Sequence, residues 1–490
     1  MTRKWLWLVM VFLLPSGCFL NACTSSNYEE AGCAFGVPSG VKIECGYLSV
    51  PEDRTQKNSP MIRLHVAIAR AENPKPDPVV FLQGGPGVNS LGFMGNLLFF
   101  FKDVRLDRDL IVFDQRGTGF SEPSLNCPEA EEQWYQDWTQ DLSMKESDQN
   151  YAKALQACHD RLIEEGIDLS AYTSAANAAD VEDLRKALGY SQWNLYGSSY
   201  GTKLALTVMR DYPEGVRSAI LDSVYPLQVN LYASEPSSFE HSLNMIFERC
   251  AADVDCNRVY PDLESTFYNL ADQLDAEPAS LNLYNPATFK YYTAVLNGDR
   301  LTWATFKTLY QTDLIPGMPR RIYAIKEGRT DTLVSSLQNF VFFNDYWNEG
   351  MYYSVQCNEE APFGSAESFK SANMDAHPRL LEVIGQPETY ENCSAWVESH
   401  PSAIENEAVT SDIPALILSG EFDPITPPAW GRLVAETLSH SQFLEFPGYG
   451  HGVFGTGACD NQIVLDFLNT PNTPVDASCI HSLEWEFVTE

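Results

Sequence analysis

The feature that most narrows the folds open to this chain is a series of apolar runs, each ending in a glycine-rich or acidic turn. They read "PVVFLQGGPG" (78–87), "DLIVFDQRGTGFS" (109–121), "WNLYGSSYG" (193–201), "SAILDSV" (218–224), "PALILSGEFDPITP" (414–427) and "SQFLEFPGYGHG" (441–452). A short run with no polar alternate residues is a strand covered on both faces. Helical patterns fill some of the gaps: residues 174–188 are amphipathic, and a second helix is expected from about 200 to 212. Buried strands alternating with helices predict an α/β architecture, a mostly parallel sheet with helices on both faces. In such sheets reactive groups gather on loops at the carboxyl ends of the strands. Ahead of these runs, Cys33 to Arg70 alternates apolar and polar residues, which predicts a short antiparallel entry.

Four regions follow from this pattern. Residues 1–22 are a leader, 23–226 the first part of the α/β core, 227–410 an insertion, and 411–490 the closing part of the core. The insertion lacks the strand–helix alternation and is rich in aromatics at helical spacing ("SSFEHSLNMIFERCAADV", "WATFKTLYQTDL", "TDTLVSSLQNFVFF"), so a mostly helical cap is expected.

Arg3 and Lys4 precede the apolar stretch Trp5–Leu14, too short to span a bilayer and suited to the core of an export signal. Leu20-Asn21-Ala22-Cys23 resembles a bacterial lipobox, which makes Cys23 the lipidation candidate, with Cys18 a poorer one and a plain cleaved signal peptide the alternative. The expected location is the periplasm, an outer-membrane anchor or the exterior, with membrane association only through that lipid. Of twelve cysteines, Cys18 and Cys23 fall in this region, leaving an even ten. In an exported chain these read as disulfides. Their neighbouring couples predict pairing in chain order: Cys33–Cys45, Cys127–Cys158, Cys250–Cys256, Cys357–Cys393 and Cys459–Cys479. Metal binding is disfavoured because no CxxC occurs and the histidines lie elsewhere. The net charge of −34 argues against nucleic acid as a partner.

Ser199 stands in Gly197-Ser198-Ser199-Tyr200-Gly201, directly after a strand pattern and before a helix pattern. Glycines two places away on both sides suit a tight strand-to-helix turn that lifts a nucleophilic hydroxyl above the sheet edge. A serine needs a base, and in this arrangement an acid and then a histidine follow along the chain. Asp423 and His451 occupy those places, each just past a strand pattern, with Glu421 the alternative acid. For the oxyanion, the backbone N–H of Tyr200 is one expected donor and that of Gly85 the other, with Gly84 second to it. A phosphate-cradling role for the Gly84–Gly87 loop lacks the lysine and spacing it would need.

Taken together, "GGPG", "DQRGTGFSEP", "GSSYGTKLA", "SGEFDPITPP" and "GYGHGVF" resemble the α/β-hydrolase serine peptidases of the prolyl aminopeptidase type. The resemblance is closest to the secreted tripeptidyl-aminopeptidase-like branch with its own C-terminal segment, and it covers residues 33 to 485. Gln83 stands where family members commonly carry histidine. The likeness implies an α/β-hydrolase fold with a helical cap, and an exported aminopeptidase acting on peptides with a free N-terminus. It implies no metal or organic cofactor. Asp114, Gln115 and Arg116 are expected to brace the glycine loop. Cap carboxylates would hold the substrate ammonium, which points to Glu359 and Glu360 beside Cys357. An esterase or lipase of small acyl esters is the rival within the fold, and a non-catalytic binding lipoprotein the rival outside it. Oligomeric state stays open.

Overall fold

Tyr28–Ala31 (β1), Ile43–Pro51 (β2), Met61–Ala69 (β3), Val79–Leu82 (β4), Leu110–Phe113 (β5), Trp193–Ser198 (β6) and Val216–Asp222 (β7) form most of one sheet in a computed structural model of the chain. A hairpin of Ala279–Asn285 (β8) and Lys290–Leu296 (β9) lies apart, and Ala415–Gly420 (β10) and Ser441–Phe446 (β11) complete the main sheet. The structure describes residues 27–285, 288–342, 346–385 and 389–489; the leader and Cys23 lie outside them.

The main sheet runs β1-β2-β3-β5-β4-β6-β7-β10-β11. Pairing is antiparallel from β1 to β5 and parallel from there to β11. Burial explains the change of pattern. β4, β5 and β10 are buried at every residue, as their apolar runs require, whereas β2 alternates because one of its faces is less covered. The helices Ser174–Ala187 and Tyr200–Asp211 flank β6, close to the boundaries expected from periodicity.

β7 and β10 are direct hydrogen-bonded neighbours, with Ala219 opposite Ala415 and Asp222 opposite Leu418. Everything between them leaves the sheet and returns to the adjacent lane. That segment is largely helical; its longest helix is Leu231–Ala252, and Gly298–Leu309 and Glu349–Glu359 belong to it too. The β8–β9 hairpin was not expected. Its signal was present, since Leu281 and Leu283 face inward while Ser280 and Asn282 are exposed, but helical windows on either side obscured it.

A second difference concerns the boundary at 226. Helices Pro128–Trp138 and Met144–Glu164 lie between β5 and β6 in the chain, yet Tyr135, Trp138 and Met144 pack in the same apolar cluster as Phe239, Phe267 and Leu301 of the insertion. The Arg300 guanidinium donates to the Trp138 carbonyl at 3.2 Å, and the Asn297 amide to the Leu142 carbonyl at 2.8 Å. Burial in space, not position in the chain, sets which segments share a core.

All ten cysteines outside the leader are paired in chain order, with sequence separations of 12, 31, 6, 36 and 20 residues from Cys33–Cys45 to Cys459–Cys479. Such a set fits an oxidising, exported environment. Among the described residues no helix is long and apolar enough to cross a membrane.

Candidate active site

Ser199 joins β6 to the helix Tyr200–Asp211 with φ +55° and ψ −124°, a backbone region that non-glycine residues rarely occupy. The flanking glycines are obligatory. A Cβ on Gly197 would come within 2.3 Å of the Gly201 carbonyl oxygen, and one on Gly201 within 1.9 Å of the Leu82 carbonyl oxygen. The sharp turn therefore sets the Ser199 hydroxyl at the N-terminal, electropositive end of a buried helix.

His451 follows β11 and Asp423 follows β10, so adjacent parallel strands deliver both to the same sheet edge. The Nδ1 of His451 lies 2.9 Å from Asp423 Oδ2. Asp423 is fully buried; its Oδ1 accepts the N–H groups of Ile425 and Thr426 at 3.0 and 2.9 Å, and its Oδ2 accepts the Thr426 hydroxyl at 2.7 Å. Burial works against its charge, but His451 and these hydrogen bonds prevail and hold the carboxyl below its ordinary range. Glu421, the alternative acid, is instead ion-paired with Arg249 and accepts the Gly448 N–H at 2.9 Å.

Two residues that sequence reasoning passed over tie these loops together. Asp222, at the end of β7, accepts the N–H groups of Val453 and Phe454 at 2.9 and 3.0 Å and the Tyr196 hydroxyl at 2.6 Å. Its own carbonyl accepts the Ser199 N–H at 2.9 Å, and the neighbouring Ser223 hydroxyl accepts the Gly452 N–H at 2.8 Å. The nucleophile turn and the histidine loop thus share one anchor. The "LDS" at a strand end was the available signal, because a polar pair there can only serve loops at that edge.

The glycine loop crosses directly over the nucleophile. A Cβ on Gly84 would stand 3.0 Å from Ser199 Cβ and 3.6 Å from its Oγ. The Gly84 N–H is taken by the Gln83 side-chain oxygen at 3.0 Å, whereas the Gly85 N–H has no acceptor among the described residues. Tyr200, as the first helical residue, has no intrahelical acceptor for its N–H either. Gly85 and Tyr200 are therefore the free donors. Gln115 braces the loop through the Gln83 carbonyl at 2.9 Å, and Asp114 accepts the N–H groups of Ser90 and Leu91 at 2.7 and 2.9 Å. Arg116 serves another place: its guanidinium binds Asp180 and the carbonyls of Glu52 and Ala171.

The structure brings Glu359 and Glu360 to a different partner from the one expected. They are 3% and 2% exposed, and both face Lys203 of the nucleophile helix, itself 1% exposed. Glu359 also accepts the Ser174 N–H and, at 2.7 Å, its hydroxyl, which lies 2.9 Å from the Tyr200 hydroxyl. Glu360 closes an ion pair with Lys203 and accepts the Leu231 N–H at 3.1 Å. Their acceptor capacity is consumed because burial of two carboxylates and an ammonium demands mutual compensation.

A carboxylate that the sequence did not single out has neighbours against both the histidine loop and the glycine loop. Glu235 sits in the helix Leu231–Ala252, which also docks on the acid loop through Ser242, whose hydroxyl donates to the Asp423 carbonyl at 3.2 Å. Its electrostatic neighbours are Lys307, Tyr310 and Tyr352. Tyr310 packs on the His451 ring at 4.9 Å between centres, and Tyr352 backs the glycine loop, where a Cβ on Gly87 would meet its Cβ at 3.4 Å. Glu235 thus has one electrostatic neighbour against the histidine and another against the glycine loop. It closes no hydrogen bond or ion pair with any described residue, and burial pushes its carboxyl up to about 7, with Lys307 pulling the other way. Among the described residues no group of three or more His, Cys, Asp or Glu side chains is arranged to hold a metal ion.

A sharp serine turn, a histidine–carboxylate pair and two free amides at one edge of a mostly parallel sheet define the hydrolases of the α/β type, and the family model described as alpha/beta hydrolase fold matches residues 77–458. The chain belongs to that family. It is 26% identical over 478 residues to YuaR of Escherichia coli K12, a protein described as a hydrolase, covering 94% of this chain and 92% of that one. It is 24% identical over 487 residues to the serine protease Hip1 of Mycobacterium tuberculosis, covering 92% and 88%. A tripeptidyl aminopeptidase of Streptomyces lividans matches at 27% over 209 residues, 40% of this chain and 38% of its own.

Proposed function

We propose that the protein is an exported serine aminopeptidase that releases single residues or short peptides from unblocked N-termini. Ser199 Oγ bonds to the scissile carbonyl carbon while its proton passes to His451 Nε2. The Gly85 and Tyr200 N–H groups receive the oxyanion, and Asp423 keeps the imidazole oriented and offsets its charge. Collapse of the tetrahedral intermediate breaks the C–N bond as His451 protonates the departing amine. Water, activated in turn by His451, then releases the acyl group from Ser199.

The observation that carries the aminopeptidase reading is Glu235, a carboxylate with no bonded partner among the described residues, on the helix that docks on the Asp423 loop and beside the ring that packs on His451. A carboxylate left open in a half-buried site is costly until a cation meets it, and a peptide α-ammonium is that cation. This role was expected of Glu359 and Glu360, whose partner is Lys203; Glu235 is the residue we assign to it. Peptidase names among the relatives support the reaction class.

The test is hydrolysis of aminoacyl, dipeptidyl and tripeptidyl fluorogenic amides, each with a free and an acetylated N-terminus. Free-amine substrates should be preferred by about tenfold or more, the worth of a charge-assisted hydrogen bond. Equal rates on the acetylated forms, or turnover of small esters alone, would replace the aminopeptidase with an esterase.

A further inference from the structure

Lys307 lies on the inserted helix Gly298–Leu309, and the end of that helix rests on the histidine loop. The Gly450 N–H donates to the Thr312 hydroxyl at 3.1 Å just beyond the helix, and a Cβ on Gly450 would strike the Leu309 carbonyl oxygen at 2.1 Å. The Lys307 Nζ stands 4.7 Å from the ring centres of both Phe306 and Tyr310, 5.5 Å from Trp303 and 5.7 Å from Phe340. Tyr310 is the ring that packs against His451. One ring thus separates this ammonium from the catalytic imidazole.

Four aromatic faces hold the ammonium in place and attract its charge, but they accept none of its N–H groups with the directionality of an oxygen. The Lys307 ammonium makes no hydrogen bond or ion pair with any described residue. Glu235 is its charged neighbour and acts on it through space without closing a pair. Burial pulls the ammonium down to about 8, so it remains largely cationic near neutral pH. Side by side stand a cation and an anion, each partly exposed and neither closing a hydrogen bond or ion pair with a described side chain. Four rings surround the ammonium, yet Lys307 is only partly buried, so a ligand can reach its head.

We propose that Lys307 receives a carboxylate of the substrate, so that the site selects peptides bearing a negative charge near the scissile bond while Glu235 takes the ammonium. The inference rests on the aminopeptidase reading. Its chemistry admits two sources, the side chain of an N-terminal Asp or Glu and the free C-terminal carboxylate of a di- or tripeptide. At −34 the surface as a whole offers an anionic peptide no attraction, so a local cation is what could favour it.

The experiment compares kcat/KM on two matched substrate pairs, N-terminal Glu against Gln amides and a tripeptide with a free carboxylate against its carboxamide. Each is measured with free and acetylated N-termini, for the wild type, Lys307→Met and Lys307→Arg. The wild type should prefer the carboxylate member of one pair by about tenfold or more, and that pair identifies the source. Lys307→Met should bring the ratio close to one, and Lys307→Arg should retain part of it. Because the readout is a ratio, any change that Lys307→Met imposes on Glu235 cancels. Labelling of Ser199 by a fluorophosphonate confirms a folded site, with Lys307→Gln as the second neutral variant should Met fail to fold. No preference in the wild type on either pair, or a preference that survives both neutral variants, overturns the proposal. Loss of discrimination against acetylated termini would instead sink the aminopeptidase reading, and the carboxylate ratio would still report on Lys307.

Discussion

Lys203, on the helix of the reacting serine, and Lys307, one ring away from the catalytic histidine, both have glutamates for neighbours, yet the surrounding chain treats them in opposite ways. Lys203 lies on the nucleophile helix with Glu359 and Glu360 against it, and serine and backbone donors fill the remaining acceptors. Lys307 lies on the inserted segment within Coulomb reach of Glu235, and neither side chain closes a hydrogen bond or ion pair with anything described. The first grouping is closed: it locks the inserted helix Glu349–Glu359 to the turn that presents Ser199 and Tyr200. The second is open, and its two charges are complete only when something enters. Burial and charge alone do not mark a binding residue; unspent bonding capacity does.

The largest expected effect tests whether Ser199 is the atom that both groupings serve. Ser199→Ala should lower kcat by about 10⁴- to 10⁶-fold with an unchanged thermal unfolding profile. Retention of more than a few per cent of the activity would remove the reference point for the whole comparison.

Next in size is the stability contrast. Lys203→Met leaves two buried carboxylates uncompensated and should cost roughly 3–5 kcal/mol. Lys307→Met removes a charge that no pair depends on and should cost less than about 1 kcal/mol. Denaturant titration of both variants decides the matter, and equal losses would mean that the open grouping is structural after all.

Glu235→Gln should reduce kcat/KM on free-amine substrates about 10- to 150-fold while barely changing hydrolysis of p-nitrophenyl acetate, which has no amine to hold. The same change at Glu359 should affect amide and ester alike, since it disturbs the support of Tyr200 rather than an amine contact. If Glu359→Gln proved to be the selective variant, the two groupings would have to exchange roles.

The smallest effect is a pH dependence. With its carboxyl raised to about 7, Glu235 is protonated below that pH and cannot balance an ammonium. The ratio of free-amine to ester kcat/KM should therefore rise as pH increases through about 7. It should fall again as the substrate amine loses its proton near pKa 7.7–8.0. Taking the ratio removes the histidine's own titration, and in Glu235→Gln the acid limb should disappear.

What could be read in the linear chain follows from how local its causes are. Ser199, Asp423, His451 and Gly85 each lie within a few residues of the strand end and the glycines that position them, so a short window contains the whole reason. The disulfides are legible on the same ground. The pairing of Glu359 with Lys203 could not be read, because Lys203 looks like an ordinary helical lysine in "YGTKLAL" and lies far away in the chain. Glu235 could not be singled out from 66 acidic residues, since its distinction is the lack of a bonded partner, which exists only in three dimensions. The packing of Trp138 with the insertion was hidden for a similar reason: an apolar helix face does not announce which core it joins.

The disulfide pattern has a consequence for biogenesis. Each of the five bonds joins a cysteine to the next one along the chain, and the widest span is 36 residues. A polypeptide threaded N-terminus first into an oxidising compartment presents its thiols one after another. Among the ten paired cysteines, the most recently emerged unpaired thiol is then the right mate for the one arriving. If the chain is oxidised in that order, its native connectivity needs no isomerase to reshuffle it, even while the strand that must pair beside β7 has yet to cross.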